Sequence, residues 1–592
     1  MNSNKVKEKS FKILFAFTAA LCIVAVIAIF AFLIIKSVPT FRRIGFFEFI
    51  FGKEWKPNVD DGFTGEIKGK YGVFKMIIGT IVATLGSVIV GGVLGFFTAV
   101  FISEFCPKKL KGAFVTVINL LAGIPSVIFG FFGMVVLLPK LGVFSETGSG
   151  SGLLAVSLVL GLMILPTVVS LSKTSIDAVP DSYYEGARAL GATHEQAVFR
   201  AVVPAAKSGI VASIILGIGR AVGETMAVIM VAGNVVEYPK GLFQSFRVLT
   251  ANIVMEMGYA GDLQLGALIS TGVVLLLFIL IINLLTGLAT SGGKKDKTHK
   301  KRSIEPLAKF FHAIKIEKIG KIVAYVAAVI ASIGLISIIL FVCVNGIPHL
   351  TTQLLFGKYS VRNISIFPAT VTTLMTVGIS LVIAVPIGVF TAIFLNEYSK
   401  KGSKVVRIIR SAIDILAGVP SIVYALFGMV TFVAWFNGRQ SILAGSLTIA
   451  IMLLPTVVRS TEESLKSVSD TLREGSLALG AGKVRTIFKV VLPSALPGIA
   501  SAIILAMGRV VSESAPFVYT MGNCLTTMPK GVMSDGTTLA VALYTLAGEG
   551  QYLNEAYATA LVLLVIVLAL NLLANLITKK LDKKLKGSKN GK

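Results

Sequence analysis

An arginine and a glutamate stand four residues apart twice in this chain, each time in a stretch otherwise built of hydrocarbon. "GIGRAVGETMAV" (217–228) carries Arg220 and Glu224, and "AMGRVVSESAPF" (506–517) carries Arg509 and Glu513. A guanidinium is a planar fork of donors that matches the oxygens of a tetrahedral oxyanion better than an ammonium does. A carboxylate beside it can hold the fork in place, accept a hydrogen bond from a protonated anion, or carry a proton itself. The plain alternative is that each pair only cancels its own charge. Arginine before glutamate is the weaker i,i+4 order, and leucines would avoid the cost altogether. Counted from Gly209, Arg220 lies roughly 16 Å along its helix at about 1.5 Å per residue, near the centre of a bilayer. An arginine there is penalised by about 2.5–3.5 kcal/mol, so it is expected to face a bundle interior or water. On an unbroken helix Glu224 and Glu513 share a face with their arginines. Thr225, Ser512 and Ser514 stand beside them, as hydroxyl donors to the same pathway or as helix-packing residues.

The elements that must position these pairs are membrane helices. Of 592 residues, 55% are hydrophobic and 15% charged, against about 25% charged in soluble chains. The first apolar run, 13–35, is too long for the apolar part of a signal peptide, and no small-residue cleavage site follows it. Spans of about 20 residues are expected at 13–35, 74–102, 114–138, 153–171, 209–232 and 265–288. Six more are expected at 319–344, 369–395, 408–436, 442–458, 498–521 and 556–577. The net charge of +26 does not point to nucleic acid. Its basic blocks lie at the N-terminus, at "GGKKDKTHKKR" and at the C-terminus, flanking apolar spans as cytoplasmic segments do. An even number of spans per half puts both termini and the linker on that one side. The cysteines (Cys22, Cys106, Cys343, Cys524) are scattered, with neither metal-ligand spacing nor a disulfide framework.

The halves are repeats. Residues 185–234 align without a gap onto 474–523, with 21 of 50 positions identical. "LAGIPS" (121–126) returns as "LAGVPS" (416–421), "LPTVV" (165–169) as "LPTVV" (454–458), and "FFTAVFISEF" (96–105) as "VFTAIFLNEY" (389–398). The chain therefore divides into a first module at 1–290, a basic linker at 291–318 and a second module at 319–592. Parallel repeats of this kind form their site at the repeat interface, around an axis along the membrane normal, where the two arginines would face one pathway. The expected fold class is an all-α polytopic membrane protein of about 12 transmembrane helices, as two six-helix modules. Pro125, Pro166, Pro420 and Pro455 lie within spans and are expected to kink them, with a hinge function as the alternative. Glu104 and Glu397 sit at span ends beside basic residues, and Asn234 and Asn523 either line a mouth or cap a helix.

Between the fourth and fifth spans lies a polar stretch, "VPDSYYEGARALGATHEQAVFRAVVPAA". Ser182 with Glu185, and Thr193 with Gln196, have capping-box spacing. Gly191 suits a helix stop, and Pro204 ends the second short helix. The second half repeats the plan with Thr471 and Glu474, Gly480 and Pro493. The expected element is a short helix, a turn and a second short helix on the charged side of the membrane.

The spacing Glu185-Gly186-Ala187, Gly191, Val203-Pro204 resembles the "EAA" loop of ABC-importer permeases, and Glu474-Gly475-Ser476, Gly480, Leu492-Pro493 matches it too. In that family the loop couples the permease to an ATPase subunit. "LAGVPSIVYALFG", "LPTVV" and the arginine–glutamate stretches followed by Gly-Asn resemble the phosphate-specific (Pst) permeases. The first half is similar to the PstC type through "GRAVGETMAV". The second is similar to the PstA type through "GRVVSESAPF", departing from it at Ser512-Glu513-Ser514, where glycine and threonine are more usual. The resemblance implies a fused type I importer permease that moves inorganic phosphate by alternating access. Its partners would be two PstB-like ATPase subunits, which bind the ATP and Mg, and a PstS-like extracytoplasmic phosphate-binding protein. Its place would be the bacterial plasma membrane, among lipid. External docking surfaces for the binding protein are expected at 37–71, 238–263, 361–367 and 526–552.

No Gly-x-x-x-x-Gly-Lys-Ser/Thr loop occurs, so the chain is expected to hydrolyse no ATP and to hold no cofactor or metal of its own. The competing readings are an ion-coupled secondary transporter with Glu224 and Glu513 as proton carriers, a permease for another oxyanion such as sulfate or phosphonate, and a membrane sensor of phosphate supply.

Overall fold

The computed structural model describes residues 2–57, 69–146, 148–291, 316–360, 363–399, 403–523, 525 and 528–587. Most of the basic linker expected at 291–318 lies outside the described residues, as do Cys524 and the starts of two expected external loops, Val361 and Thr526. In the first half the helices that bear on the site are α1 (Asn2–Ile44), α2 (Phe74–Phe105), α3 (Lys108–Ala122), α4 (Ser126–Gly142), α5 (Leu153–Asp177), α6 (Asp181–Ala189), α7 (His194–Ala205), α8 (Lys207–Gly223), α9 (Met226–Val231), α10 (Leu249–Glu256) and α11 (Asp262–Ser291). The second half has α12 (Ile316–Gly346), α13 (Phe367–Tyr398), α14 (Lys404–Gly418), α15 (Ser421–Val433), α16 (Ile442–Lys466), α17 (Asp470–Ala478), α18 (Lys483–Ser512), α19 (Ala515–Thr520), α20 (Leu539–Glu549) and α21 (Leu553–Gly587).

Among the described residues nine helices are long and apolar enough to cross a membrane, or eleven if the bent pairs α7–α8 and α14–α15 each count as one. The twelfth expected span is also broken, into α3 and α4. The breaks have local causes. Pro125 and Pro420 are not kinks within helices but the residues before α4 and α15, with extended backbone at ψ 140° and 147°. Pro166 and Pro455, in contrast, sit inside the unbroken helices α5 and α16. Turns with π geometry recur at equivalent places in the two halves: Phe101–Phe105 with Phe394–Tyr398, Gly133–Leu137 with Met429–Val433, and Val198–Val202 with Ile487–Val491. Such turns insert one extra residue per bulge. A further one at Val88–Gly92 keeps Gly86, Gly91 and Gly95 all facing α5 despite their uneven spacing. At Gly91 the helices approach so closely that a β-carbon would lie 2.3 Å from the Gly161 carbonyl, the small-residue packing that lipid favours.

The chain forms two compact units, and their boundaries are not those of the sequence modules. One comprises Met1–Gly45, Ile253–Val273 and Asn345–Lys592; the other comprises Phe46–Asn252 and Val274–Val344. Each unit thus contains the core of one half and the opening helix of the other. In the first unit α1 runs along α13 and α14. Phe15 lies 5.3 Å from Phe390 and 5.6 Å from Tyr398 between ring centres, and Cys22 Sγ is 3.6 Å from Thr391 Oγ1. In the second unit α12 is held by Tyr325 against Phe101, at 4.8 Å, and by Phe341 against Phe131 and Phe132.

Candidate functional site: a helix break at each arginine

The arginine–glutamate stretches are not continuous helix. α8 ends at Gly223, Glu224 is extended (φ −73°, ψ 135°), Thr225 turns (φ −120°, ψ −60°), and the chain restarts as α9. The second copy does the same: α18 ends at Ser512, Glu513 has φ −80° and ψ 143°, Ser514 has φ −130° and ψ −43°, and α19 follows. The expected i,i+4 placement on one helix face is therefore corrected, since each glutamate stands just past the end of its arginine's helix. Arg220 and Arg509 lie in the last turns of α8 and α18. A cation there faces the carbonyl end of the helix dipole, which favours it.

Each arginine has a partner that spacing alone did not reveal. Arg220 Nη1 donates to Thr167 Oγ1 at 3.1 Å, and Arg509 Nη1 donates to Thr456 Oγ1 at the same distance. Thr167 and Thr456 are the threonines of the two "LPTVV" motifs, one residue after Pro166 and Pro455. The recurrence of that motif was the available signal.

The glutamates differ. Glu224 Oε1 accepts from the Ala227 backbone N–H at 3.3 Å, and its backbone carbonyl accepts from Thr250 Oγ1 at 2.9 Å. The residue equivalent to Ala227 is Pro516, which has no N–H to offer. Glu513 Oε1 instead lies 3.7 Å from Arg509 Nε. The break does not depend on this proline, because the first copy takes the same path with Ala227.

The hydroxyl residues divide likewise. Ser512 Oγ donates back to the Gly508 carbonyl at 2.8 Å and so serves its own helix. Thr225 and Ser514 are each 2% exposed. Thr225 Oγ1 reaches the Gly223 carbonyl at 3.4 Å, whereas Ser514 Oγ is buried without a hydrogen-bond partner among the described residues. Asn234, at φ 57°, donates from Nδ2 to the Ile229 carbonyl at 2.8 Å and so caps α9.

The polar hairpins form as expected: α6 then α7 in one half, α17 then the start of α18 in the other. Gly191 (φ +85°) and Gly480 (φ +78°) supply the left-handed turn. The capping box of Thr193 and Gln196 is complete. Those of Ser182 with Glu185 and Thr471 with Glu474 do not form. α6 starts directly after Pro180, and α17 is capped by Ser469, whose side chain accepts from the Thr471 N–H. Both expected caps are thus already inside a first turn. Pro204 does not end α7 cleanly. The helix runs to Ala205 and bends by 68° into α8, while Pro493 is absorbed within the single helix α18.

Glu185, Gly186, Glu474 and Gly475 are exposed, and Ala187 and Ser476 are half-buried. Ser476 Oγ lies 2.9 Å from Thr486 Oγ1. Beside them Leu190 and Leu479 are 92% and 91% exposed. The residues that fasten the hairpins were not foreseen. In the first half Tyr184 Oη lies 2.8 Å from His194 Nδ1, and His194 Nε2 lies 3.2 Å from the Glu104 carbonyl. In the second, Arg473 takes the place of Tyr184. It pairs with Glu397 at 3.0 Å and donates to the Val468 and Leu465 carbonyls, both at 2.6 Å.

The family described as "Binding-protein-dependent transport system inner membrane component" matches residues 91–291 and 384–587, one match per repeat. The chain is 28% identical to a "Phosphate transport system permease protein PstA homolog" of Mycoplasma pneumoniae, over 85% of this chain and 84% of that protein. It is 32% identical to "Phosphate transport system permease protein PstC" of Haemophilus influenzae, over 49% of this chain and 95% of that protein. It is 38% identical to "Phosphate transport system permease protein PstA 1" of Mycobacterium tuberculosis, over 33% of this chain and 64% of that protein. With two permease repeats, each carrying the same broken arginine helix and polar hairpin, the chain belongs to the family of binding-protein-dependent transport system inner membrane components.

Proposed function

We propose that this chain is the permease of an ABC importer that carries inorganic phosphate into the cell, a natural fusion of PstC-like and PstA-like halves. The observation that carries this reading is the arginine at a helix break, fixed by a threonine at 3.1 Å, built in the same way in both repeats. Arg220 and Arg509 are the anion donors, and Thr167 and Thr456 set the planes of their guanidinium groups. Glu224 and Glu513 accept a hydrogen bond from protonated phosphate. Sulfate has no such proton at neutral pH, so a carboxylate in its path repels it. Thr225 and Ser514 line the break, and Ser512 supports it from the helix. Binding is weak by design, because a tight site would trap the ion.

Energy comes from elsewhere. The chain hydrolyses nothing; two copies of an ATPase subunit bind ATP and Mg. One copy docks at Glu185, Gly186, Ala187 and Gly191, the other at Glu474, Gly475, Ser476 and Gly480. Leu190 and Leu479 offer each an apolar contact at the tip of the hairpin. The basic termini and linker support a cytoplasmic position for these hairpins at a bacterial plasma membrane. A phosphate-binding protein delivers substrate at the opposite end. The test is uptake of labelled phosphate into proteoliposomes holding the chain, its ATPase and its binding protein. Uptake is expected to require ATP and to resist competition by sulfate. Uptake driven by a proton gradient without the ATPase would contradict the reading.

A further inference from the structure

The two exchanged helices begin alike. α1 carries "EKSFK" at 8–12, and α12 carries "EKIGK" at 317–321. In each unit this start lies on the second helix of a polar hairpin. In the first unit Glu8 Oε1 accepts from the Lys483 backbone N–H at 2.9 Å. Lys483 is the first residue of α18, and the residue before it, Gly482, has no side chain to cap with. Glu8 therefore provides from another helix the acceptor that Thr193 provides locally in the other hairpin. A carboxylate is favoured at that helix end. Next to it the Phe11 and Phe488 rings lie 5.3 Å apart, and Lys483 Nζ stands 5.0 Å over the Tyr398 ring.

In the second unit the same positions use ion pairs. Lys321 Nζ lies 2.9 Å from Glu195 Oε1, and Arg200 Nε donates to Glu317 Oε1 at 2.6 Å. Phe199, the equivalent of Phe488, packs on the backbone of Gly320, where a β-carbon would come within 2.9 Å of the ring. One architecture is thus met with two sets of bonds: a Glu-Lys-x-x-Lys start fastened to the entry of the helix that follows the hairpin. In the first unit that helix is α18, which runs unbroken to Arg509, about 39 Å away at about 1.5 Å per residue.

We propose that Glu8, and Glu317 with Lys321, are positioning residues for energy coupling: they tie each exchanged helix to the entry of the arginine-bearing segment, so that a push on the hairpin moves both together. The proposal rests on the reading above that the hairpins dock an ATPase. Without the tie, ATP hydrolysis would move the hairpin and its arginine-bearing segment while the exchanged helix lags behind.

The test uses the full complex in proteoliposomes and reads ATP hydrolysed per phosphate imported. Glu8→Ala is expected to raise this ratio about fivefold, the factor that corresponds to one lost hydrogen bond of about 1 kcal/mol. Glu8→Gln keeps an acceptor oxygen and is expected to restore the ratio. Glu195→Lys is expected to raise it likewise, and Lys321→Glu added to it to bring it back. An unchanged ratio in Glu8→Ala, a Glu8→Gln variant as uncoupled as Glu8→Ala, or a charge swap that fails to rescue would overturn the proposal. A wild-type complex with no ATP-driven uptake at all would overturn instead the reading of function beneath it.

Discussion

The two copies of the arginine break share a backbone path and differ in the bonds that hold it. In the first, Glu224 is engaged by the Ala227 N–H and by Thr250. In the second, Pro516 removes that N–H, Ala540 stands where Thr250 does, one residue after a leucine whose N–H donates to a threonine in each half, and Glu513 turns toward Arg509. The hairpins show the same pattern, with Tyr184 and His194 in one and Arg473 and Glu397 in the other. What the repeats retain is the geometry at the arginine and its threonine. The surrounding bonds have drifted, so the copies are expected to respond alike to changes at the arginine–threonine bond and differently to changes around it.

The largest contrast is expected at the hairpin anchors. The side chains of Arg473 and Glu397 are only 14% and 9% exposed, and removing one partner of a buried ion pair strands the other charge. Arg473→Ala is expected to destabilise the purified protein by about 3 kcal/mol. Tyr184→Phe loses one neutral hydrogen bond, about 1 kcal/mol. Denaturant unfolding of the two variants would measure both, and equal losses would break the comparison.

Next come the threonines. Thr167→Val and Thr456→Val each remove a hydrogen bond from a charged donor, about 2 kcal/mol or roughly thirtyfold. Because the two bonds have the same length, phosphate uptake is expected to fall to a similar extent in both variants. A loss confined to one would show that a single copy carries the ion.

Exchanging the caps is gentler. Ala227→Pro imposes on the first copy the chemistry of the second, and Pro516→Ala does the reverse. Each gains or loses one hydrogen bond of about 1 kcal/mol, so uptake is expected to stay within about fivefold of wild type.

The smallest effect concerns a feature found, among the described residues, in the first half, the two-residue strands Trp55–Lys56 and Lys70–Tyr71. The hydrogen bond from Lys70, with the Lys56 charge nearby, holds the Glu54 carboxyl below its ordinary value. A depressed folded-state value means that the contribution is present above the unfolded pKa of about 4.3 and is lost as pH falls through the folded value. Trp55 packs edge-on against Tyr71. Its fluorescence is expected to hold steady from pH 7 to 5 and to shift only below about pH 4.3.

Apolar run length located the nine helices long enough to cross a membrane and the two bent pairs, because lipid demands internally satisfied helices of fixed length. The breaks were harder to see. Arginine and glutamate at i and i+4 read as a helix face, and only the Ala-Pro after Ser514 hinted that the helix stops. Capping-box spacing was right for Thr193 and wrong for Ser182, since Pro180 starts the helix one residue before that serine. The exchange of opening helices was not legible, because an apolar run does not name its packing partner. The hairpin anchors were hidden by aligning Tyr184 with Arg473, residues that share a position and no chemistry.

The most direct test of the central claim is phosphate uptake by Arg220→Gln and Arg509→Gln, each assembled with the ATPase and binding protein, with ATP hydrolysis read in the same vesicles. The account predicts that uptake falls roughly a hundredfold, for about 3 kcal/mol of lost charge-assisted hydrogen bonding, while ATP hydrolysis persists. Wild-type uptake in both variants would contradict it and leave the arginines a structural role.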